Sequence, residues 1–481
     1  MDQMTELFIG GRWQAPSSPE VLEVLNPATE EVIGRAAVAH QADVDAAVAA
    51  ARQALPAWAA LPVSERLDHM SRFADEIDKL GPQIADVLIA ETGFPSAHVR
   101  FEAGQLSTLL RHNVGLAGRI AFAERRTGAS GAQVEIRREP VGVVAAIAAW
   151  NAPHSLAGNK IAPALLAGCT VVLKPAEQTS LDSRFIAEAA ERAGLPPGVV
   201  NVVTGDAATS ACLVGHPHVD KVAFTGSSAV GQRIASAASA HLTRVSLELG
   251  GKSAAIVADD ADLDVLVATI PPALLTINGE MCVAISRLLV SEAREQEITS
   301  ALSAAFERVV VGDPTDERTQ LGPMISAAHR NRVLGYVRGA VADGARIATG
   351  GGIPAGMTRG FYVQPTILAD VEPQSKVAQE EIFGPVLAVI RYRDLDDAVR
   401  IANDTSYGLS GAVYSADPAT ASRLASELRC GSVHINNGMN VDIDVPFGGF
   451  KSSGYGREYG PEGVQEYTEP KVVFLDSAVA S

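Results

Sequence analysis

Apolar residues recur at helical spacing through much of the first hundred residues. In ADVDAAVAAARQALPAWAALPVSERLDHMSRFADEIDKL, charged positions fall between the apolar ones. This periodicity predicts amphipathic helices whose alanines and leucines pack into a core. From residue 140 the pattern changes, because short and almost wholly apolar runs alternate with longer helical segments. We interpret the short runs as buried strands.

The strand candidates fall into two groups. The first group contains VGVVAAIAAW, GCTVVLKP, GVVNVVTG, KVAFTGS and RVSLELGG. Helical stretches separate them, including SLDSRFIAEAAERAGLPPG, for which Ser180 is the expected N-cap and Gly194 the end. The second group, between about residues 255 and 450, contains AAIVADDADLD, RLLVS, AVIRY, GAVYS and GSVHIN. This alternation predicts an α/β protein with two doubly wound parallel sheets.

Composition and charge narrow the class of partner. With 481 residues, 47% of them hydrophobic, the chain can bury several cores. The net charge of −17 argues against a nucleic-acid or anionic-membrane surface and favours a small-molecule partner. The first residues lack a signal-peptide pattern, and the apolar runs are too short to span a bilayer. We therefore expect a cytoplasmic protein that binds neither nucleic acid nor membrane.

The four cysteines, Cys169, Cys212, Cys282 and Cys430, are widely spaced and form no CxxC pair. We therefore expect reduced thiols, with no disulfide framework and no metal site. Composition alone favours small core residues for all four. GxSxG and HExxH motifs are absent, which argues against a serine hydrolase elbow and a zinc protease.

Polar residues and glycines follow the predicted strands of the first sheet. They are Asn151, Lys174, Glu177, Thr204, Gly205, Thr225, Gly226, Ser227, Gly250 and Gly251. Ligands of open parallel sheets bind beyond the carboxyl ends of the strands. A pyrophosphate would meet backbone amides at the helix that Ser227 begins. The GxGxxG fingerprint is absent, so the prediction of a dinucleotide site rests on the series of turns.

Seven motifs in order, WNAPH, LKPAEQTS, VAFTGS, LELGGKS, NGEMC, EEIFGPV and PFGGFKSSGYGRE, closely resemble those of the NAD(P)-dependent aldehyde dehydrogenase superfamily. The resemblance extends from NPATEEVIG to YTEPK. It implies two doubly wound parallel-sheet domains and a small β oligomerisation arm. The implied divisions are 1–118 with 141–250 for NAD binding, 251–452 for catalysis, and 119–140 with 453–481 for oligomerisation and bridging. The resemblance also implies a homodimer or homotetramer.

The same resemblance assigns catalytic roles. Cys282 takes the position of the nucleophile, Glu248 that of the general base and Asn151 that of the oxyanion-binding amide. Glu458 matches a position associated with a proton path to the base. The implied reaction is attack of a thiolate on an aldehyde, hydride transfer to the cofactor and hydrolysis of the resulting thioester.

Cofactor roles are implied in the same way. Trp150, Gly205, Thr225 and Gly250 fall in motifs that border the cofactor. Lys174 and Glu177 resemble the pair at the adenosine ribose, Gly226 and Ser227 the pyrophosphate turn, and Glu381 with Phe383 the nicotinamide side. A carboxylate at Glu177 would accept a hydrogen bond from a ribose 2′-hydroxyl and repel a 2′-phosphate, which favours NAD over NADP.

Several positions depart from the family pattern. Glu280 stands two residues before Cys282 where many members have Gln, and its charge would raise the pKa of the thiol unless it points elsewhere. Pro271 and Pro272 interrupt the segment before the nucleophile. Ala152 and Asn159 stand where some family members have bulky aromatics, which suggests a roomier substrate channel.

The loop NNGMNVDIDVPF would line the mouth of that channel with Met439, Val441, Ile443 and Phe447. We therefore expect an apolar aliphatic, aromatic or terpenoid aldehyde. Two alternatives remain at this stage. One is a coenzyme A-acylating enzyme, against which Glu248 argues. The other is a non-catalytic NAD-binding homologue, against which Cys282, Glu248 and Asn151 argue.

Overall fold

A computed structural model of the chain describes residues 2–475 and contains both α-helices and β-strands. The strands are β1 Asp2–Met4, β2 Leu7–Ile9, β3 Arg12–Gln14, β4 Val21–Leu25, β5 Val32–Ala37, β6 Ala123–Thr127, β7 Gln133–Pro140, β8 Val143–Ile147, β9 Thr170–Lys174, β10 Val200–Val202, β11 Lys221–Thr225, β12 Arg244–Glu248, β13 Ser253–Val257, β14 Ile285–Ser291, β15 Arg346–Thr349, β16 Thr366–Ala369, β17 Val386–Tyr392, β18 Ser410–Tyr414, β19 Ser432–Ile435, β20 Gly454–Tyr455 and β21 Thr468–Phe474.

The helices alternate with these strands after residue 140 and dominate the segment between β5 and β6. They are α1 Gln41–Ala60, α2 Val63–Thr92, α3 Ser96–Glu102, α4 Gln105–Leu116, α5 Pro153–Ala167, α6 Ser183–Arg192, α7 Ala207–Val214, α8 Ser228–Ala238, α9 Leu263–Leu275, α10 Glu295–Phe306, α11 Ala327–Ala342, α12 Lys376–Gln379, α13 Leu395–Asn403, α14 Pro418–Glu427 and α15 Gly460–Gln465. None of the helices within residues 2–475 is long and apolar enough to cross a membrane.

The first large sheet has the strand order β20-β12-β11-β8-β9-β10-β2-β3. Its five central strands are parallel, and every residue of β8, β9 and β11 is buried. Such strands contact helices on both faces, which is why their sequences are continuous apolar runs. The predicted doubly wound sheet is therefore confirmed, with antiparallel strands at both edges.

The second large sheet has the order β15-β16-β17-β14-β13-β18-β19, in which only β15 is antiparallel. All five strand candidates of the second sequence region lie in it. The α/β class with two parallel-sheet units is thus confirmed. Because β12 and β13 are joined by only Leu249–Lys252, the two sheets meet where the carboxyl end of β12 leaves the first one.

The sequence pattern did not predict the strands of the first 37 residues. β2 and β3 extend the first sheet, and β1, β5 and β4 form a small separate sheet. Most of these strands contain only three residues, which is too few to show an alternating pattern.

Two local predictions also differ from the structure. Helix α6 begins at Ser183 rather than at an N-cap on Ser180, whose hydroxyl instead donates to the carbonyl oxygen of Ala176. Pro271 and Pro272 lie inside α9, which continues to Leu275. Burial of Ile270 and Leu274 along this helix offsets the two missing backbone donors.

A fourth sheet joins distant parts of the chain. β7 pairs along its length with β21, and β6 pairs with the other edge of β7, all antiparallel. The predicted segments AQVEIRRE and YTEPKVVFLD thus lie side by side in one chain; Asp476 of the second segment lies outside the described residues. Whether this sheet mediates assembly stays a prediction, as do the predicted domain boundaries.

Candidate active site

A cavity of about 230 Å³ lies between the carboxyl ends of β8, β11 and β12 and the loop before β14. It gathers most of the residues that the sequence analysis singled out. Its lining includes the predicted residues Trp150, Asn151, Thr225, Gly226, Ser227, Glu248, Gly250, Cys282, Glu381 and Phe383. His329 and Arg332 of α11 also line it and were not predicted. The cavity is therefore built from both large sheets.

The loop before Cys282 has an unusual backbone. Ile277 and Asn278 have φ of +46° and +61°, although a β-branched residue rarely adopts this left-handed region. The buried side chain of Asn278 holds the turn. It accepts a hydrogen bond from the amide of Gly322 at 2.7 Å and donates to the carbonyl of Pro323 at 2.8 Å. The surrounding structure thus fixes the strained turn that delivers Cys282 to the cavity.

The thiol of Cys282 lies in an electronegative site. Burial raises its pKa to about 12, and the carboxylates of Glu381, Glu248 and Glu458 add to the effect. The side chain of Glu280 points away, because its Oε1 accepts a hydrogen bond from the amide of Ile325 at 2.9 Å. Of the acids that raise the pKa of the thiol, Glu381 and Glu248 line the cavity, and Glu458 does not.

Asn151 and Cys282 are connected through Glu280. The Asn151 side chain is 8% exposed, and its Nδ2 donates to the backbone carbonyl of Glu280 at 3.0 Å. Asn151 lies between β8 and the first turn of α5, so its backbone is anchored in the first sheet. One amide hydrogen is committed to Glu280, and the other remains available to a ligand in the cavity.

Glu248 is the last residue of β12 and is 5% exposed. Neither carboxylate oxygen has a hydrogen-bond partner among the described residues. Burial and the nearby Glu458 raise the pKa of Glu248 well above its usual value, while Lys160 and Arg457 act in the opposite direction. A buried, unpaired carboxyl of this kind is suited to accept a proton from a ligand or water.

Glu458 lies behind Glu248 in a buried polar network. Its Oε1 accepts from Nζ of Lys160 at 2.9 Å, and its Oε2 accepts from Nδ2 of Asn159 at 2.8 Å. Nζ of Lys160 also donates to the hydroxyl of Thr225 at 2.6 Å. The sequence did not predict a role for Lys160. A lysine on a helix is usually exposed, and nothing in the local sequence of α5 shows that this one is buried.

The turns of the first sheet form one wall of the cavity. Ser227 is the N-cap of α8, and its Oγ accepts from the amide of Val230 at 3.4 Å. A Cβ at Gly250 would lie 2.3 Å from Oε2 of Glu381, so a larger residue there would displace this carboxylate. Oε1 of Glu381 accepts from the amide of Gly251 at 2.9 Å. These contacts place a helix N-terminus and a carboxylate on the same wall.

An aromatic cluster forms the opposite wall. The rings of Trp150 and Phe383 meet edge to face, with centroids 5.5 Å apart, and His329 packs on both rings. Nε2 of His329 donates to the carbonyl oxygen of Phe383 at 2.6 Å. Burial lowers the pKa of His329 to about 4, so the imidazole is neutral at physiological pH. A single histidine on an amphipathic helix carries no sequence signal for this position.

Lys174, Glu177 and Gly205 lie outside the cavity lining, at the ends of β9 and β10. Burial lowers the pKa of Lys174 to about 8, while Glu177 and Asp206 act in the opposite direction. Gly205 has a φ of +153°, and a Cβ there would lie 2.2 Å from Oγ1 of Thr209. These residues thus form a second cluster farther along the same sheet edge.

Comparisons with known proteins agree with this geometry. The sequence model described as the aldehyde dehydrogenase family matches residues 13–473. A geranial dehydrogenase of Castellaniella defragrans is 46% identical over 98% of both chains, and a betaine aldehyde dehydrogenase of Rhizobium etli is 39% identical over 97% of this chain and 96% of the relative.

Two solved structures are similarly close. A Mycobacterium tuberculosis aldehyde dehydrogenase complexed with NAD+ gives a TM-score of 0.96 at 43% identity, covering 99% of both chains. A mutant of aldehyde dehydrogenase C from Pseudomonas syringae, complexed with NAD+ and octanal, gives 0.94 at 38% identity, covering 98% of this chain and 96% of that one. The chain therefore belongs to the aldehyde dehydrogenase family and is an NAD(P)-dependent aldehyde-oxidising enzyme.

Proposed function

We propose that the protein oxidises an apolar aldehyde to the carboxylic acid with NAD, using Cys282 as the nucleophile. The observation that carries the proposal is the meeting of three groups in one cavity: the thiol of Cys282, the amide of Asn151 and the unpaired carboxyl of Glu248. Together they supply a nucleophile, an oxyanion donor and a proton acceptor.

The residues along the wall of the first sheet fit a dinucleotide. The N-terminus of α8 at Ser227 offers backbone N–H groups and a positive dipole end to a pyrophosphate. The close approach of Gly250 to Glu381 keeps the adjoining wall free of side chains. Glu381 would accept from a ribose hydroxyl, and Trp150 and Phe383 would border the nicotinamide. The bound cofactor would supply a hydride acceptor.

In the acylation half of the reaction, Cys282 forms a carbon–sulfur bond with the aldehyde carbon, and its thiol proton passes to the unpaired carboxylate of Glu248 in the same cavity. The carbonyl oxygen becomes an oxyanion, to which the free N–H of Asn151 and the backbone N–H of Cys282 donate. Collapse of this oxyanion would transfer the hydride to a nicotinamide bound beside Trp150 and Phe383, and would leave a thioester on Cys282. Positioning the oxyanion is therefore the task of Asn151.

In the deacylation half, water attacks the thioester and Cys282 leaves as the thiol. Glu248 accepts a proton from that water, for which its raised pKa and unpaired oxygens suit it. Glu458, which is paired with Lys160 and near enough to raise the pKa of Glu248, would take up this proton in the proposed path. Water rather than coenzyme A is the proposed acyl acceptor, because a carboxyl that can activate water faces the thiol.

We also propose a preference for NAD over NADP. Glu177 lies beside Lys174, close enough to affect its pKa. A hydroxyl on the adenosine ribose can donate to Glu177, whereas a 2′-phosphate would bring at least one further negative charge against it. Solved relatives, including those from Mycobacterium tuberculosis and Pseudomonas syringae, are complexes with NAD+.

An apolar substrate is supported by the far side of the site. Leu156 lines the cavity, and Met281, Ile443 and Tyr459 pack against the same hydrophobic core as Leu156. Val441 is 42% exposed on the loop that precedes Ile443. These side chains suit an aliphatic or terpenoid chain. The geranial dehydrogenase relative and the octanal complex of the Pseudomonas syringae enzyme point to the same class of aldehyde.

We propose that the three-stranded sheet of β6, β7 and β21 joins copies of the chain into a homodimer or homotetramer. β21 is an edge strand that exposes Val472 and Phe474, at 51% and 74%. An exposed apolar edge of this kind is an association surface. In the same proposal the first large sheet belongs to the NAD-binding domain and the second to the catalytic domain.

The test is a set of aldehydes incubated with the purified protein and NAD or NADP, with and without coenzyme A. We expect reduction of NAD with geranial or octanal, equal amounts of acid and NADH, and no dependence on coenzyme A. Formation of acyl-coenzyme A would contradict the hydrolytic step. Absence of turnover with every aldehyde would overturn the proposed reaction.

A further inference from the structure

Glu280 is completely buried two residues before Cys282. Its Oε1 accepts one hydrogen bond, from the amide of Ile325 at 2.9 Å. Its Oε2 has no partner among the described residues. An ionised carboxylate in a protein interior normally needs a cation or several donors. One backbone N–H does not meet that need.

Within residues 2–475, His329 is the only basic side chain near enough to form a salt bridge with Glu280. Nε2 of His329 lies 3.6 Å from Oε1 of Glu280, but its hydrogen is directed to the carbonyl of Phe383. Burial lowers the pKa of His329 to about 4, so this imidazole brings no charge. Burial raises the pKa of Glu280 well above its usual value.

The groups that face Glu280 from the neighbouring elements are otherwise neutral. The loop before α11 contributes the amide of Ile325, and the segment before α5 contributes the side-chain amide of Asn151. The ionisable groups nearby are His329 on α11 and Cys282 in its own loop. The surroundings therefore favour the protonated acid.

Glu280 also joins three parts of the proposed catalytic centre. Its backbone carbonyl holds Nδ2 of Asn151, its side chain holds Ile325, and it follows the strained turn at Ile277 and Asn278. Releasing the side chain from Ile325 would free the backbone that carries both Cys282 and the carbonyl under Asn151. Glu280 thus connects the loop of the proposed nucleophile, Cys282, with the proposed oxyanion donor, Asn151.

We propose that Glu280 is a positioning residue that carries a proton at neutral pH and fixes the Asn151 amide relative to the Cys282 thiol. The proposal rests on the proposed roles of those two residues. It also explains how an acid is tolerated beside a thiol nucleophile. The neutral form adds no negative charge to the site, and its carbonyl oxygen accepts from Ile325 as a glutamine would.

The first test compares Glu280→Gln with Glu280→Ala by steady-state kinetics across pH. We expect Glu280→Gln to keep kcat near neutral pH within about twofold. We expect Glu280→Ala to lose roughly tenfold or more in kcat with a smaller change in KM for NAD, because the two reacting groups are no longer held in register. The ratio of wild-type to Glu280→Gln activity falls as the pH rises, because only the wild type can ionise here.

The second test measures Tm against pH without substrate, so it is independent of the proposed reaction. The folded-state pKa of Glu280 is raised above the unfolded value of about 4.3. Between the two values the folded state binds more protons, so the contribution of Glu280 to stability falls as the pH rises. The Tm of Glu280→Gln minus the Tm of the wild type should therefore increase with pH. Glu380→Gln, an exposed neighbour of the site, should give a constant difference.

Two results would overturn the proposal. One is a Tm difference between wild type and Glu280→Gln that does not change between pH 5 and pH 9. The other is a pKa of the Cys282 thiol, measured from the pH dependence of alkylation, that is lower in Glu280→Gln than in the wild type. That result would mean that the Glu280 side chain is negatively charged at neutral pH. An active Cys282→Ala enzyme would refute the proposed reaction while leaving the stability test valid.

Discussion

The proposed catalytic centre and the adenosine end of the proposed cofactor site are built differently, although both adjoin the carboxyl edge of the first large sheet. Lys174, Glu177 and Gly205 follow the neighbouring strands β9 and β10. Cys282 and Glu248 belong to different sheets, and the thiol is delivered by a strained turn held by Asn278. The proposed adenosine site therefore uses the edge of one sheet, whereas the proposed catalytic site uses residues from both.

The charges that surround the central residue also differ between the two regions. At the adenosine end, burial lowers the pKa of Lys174, and the nearby acids Glu177 and Asp206 offset part of that effect. At the catalytic centre, burial and three carboxylates raise the pKa of Cys282 to about 12. Changes at the first region should alter cofactor affinity and choice. Changes at the second should alter the rate of the chemical steps.

The largest effect should come from Cys282→Ala. Without the thiol no thioester can form, so we expect kcat to fall by at least about 10⁴, while the dissociation constant for NAD stays within a fewfold of wild type. Stopped-flow absorbance and calorimetry measure the two quantities. Cys430→Ala is the matched control, because that thiol donates to the carbonyl of Ser432 outside the cavity. Loss of NAD binding in Cys282→Ala would instead mean that the thiol contributes to cofactor binding, so the two regions would not act separately.

Glu248→Gln should have the next largest effect. Glutamine keeps the shape but cannot accept a proton, so we expect hydrolysis to slow by about 10² to 10⁴ and a thioester to accumulate on Cys282. Intact-mass spectrometry after mixing with NAD and aldehyde detects that adduct. Glu102→Gln, a buried acid that accepts from Ser155, controls for the loss of a buried charge. A normal rate without any adduct would remove Glu248 from the mechanism.

The two regions also differ in how far the sequence could predict them. Apolar runs identified the central strands of both sheets, and the residues after them, such as Thr225 and Gly250, do line the cavity. Lys174 and Glu177 were found in the same way, at strand ends outside it. The local pattern is sufficient there because strand ends of a parallel sheet necessarily share an edge.

The catalytic centre needed more than local pattern. Cys282 stands between apolar residues and became a candidate nucleophile only through the resemblance of several motifs in order. Three features depend on residues far apart in the chain. They are the effect of Glu458 and Lys160 on the pKa of Glu248, the contact of His329 with Trp150, and the direction of the Glu280 side chain. No window of sequence contains those contacts.

A smaller effect is expected at the adenosine end. Glu177→Gln removes the negative charge that would face a 2′-phosphate, so we expect the preference for NAD over NADP, as a ratio of kcat/KM values, to fall by on the order of tenfold. The value of kcat with NAD should change little. Glu188→Gln on α6, which removes a carboxylate paired with Arg192, should leave the ratio unchanged. An unchanged ratio in Glu177→Gln would mean that its carboxylate does not face the ribose.

The smallest effect concerns the charge around the thiol. In the enzyme without cofactor, we expect alkylation of Cys282 by iodoacetamide to keep accelerating above pH 8.5, where an ordinary thiol is half ionised. Glu381→Gln removes one of the negative charges that raise the pKa of Cys282, yet keeps an oxygen for the amide of Gly251. The rate–pH curve should therefore move to lower pH by a fraction of a unit. Glu380→Gln should not move it, because Glu380 is exposed and bonded to Tyr336. Equal curves for all three proteins would show that burial alone sets the pKa of Cys282, and the electrostatic contrast between the two regions would disappear.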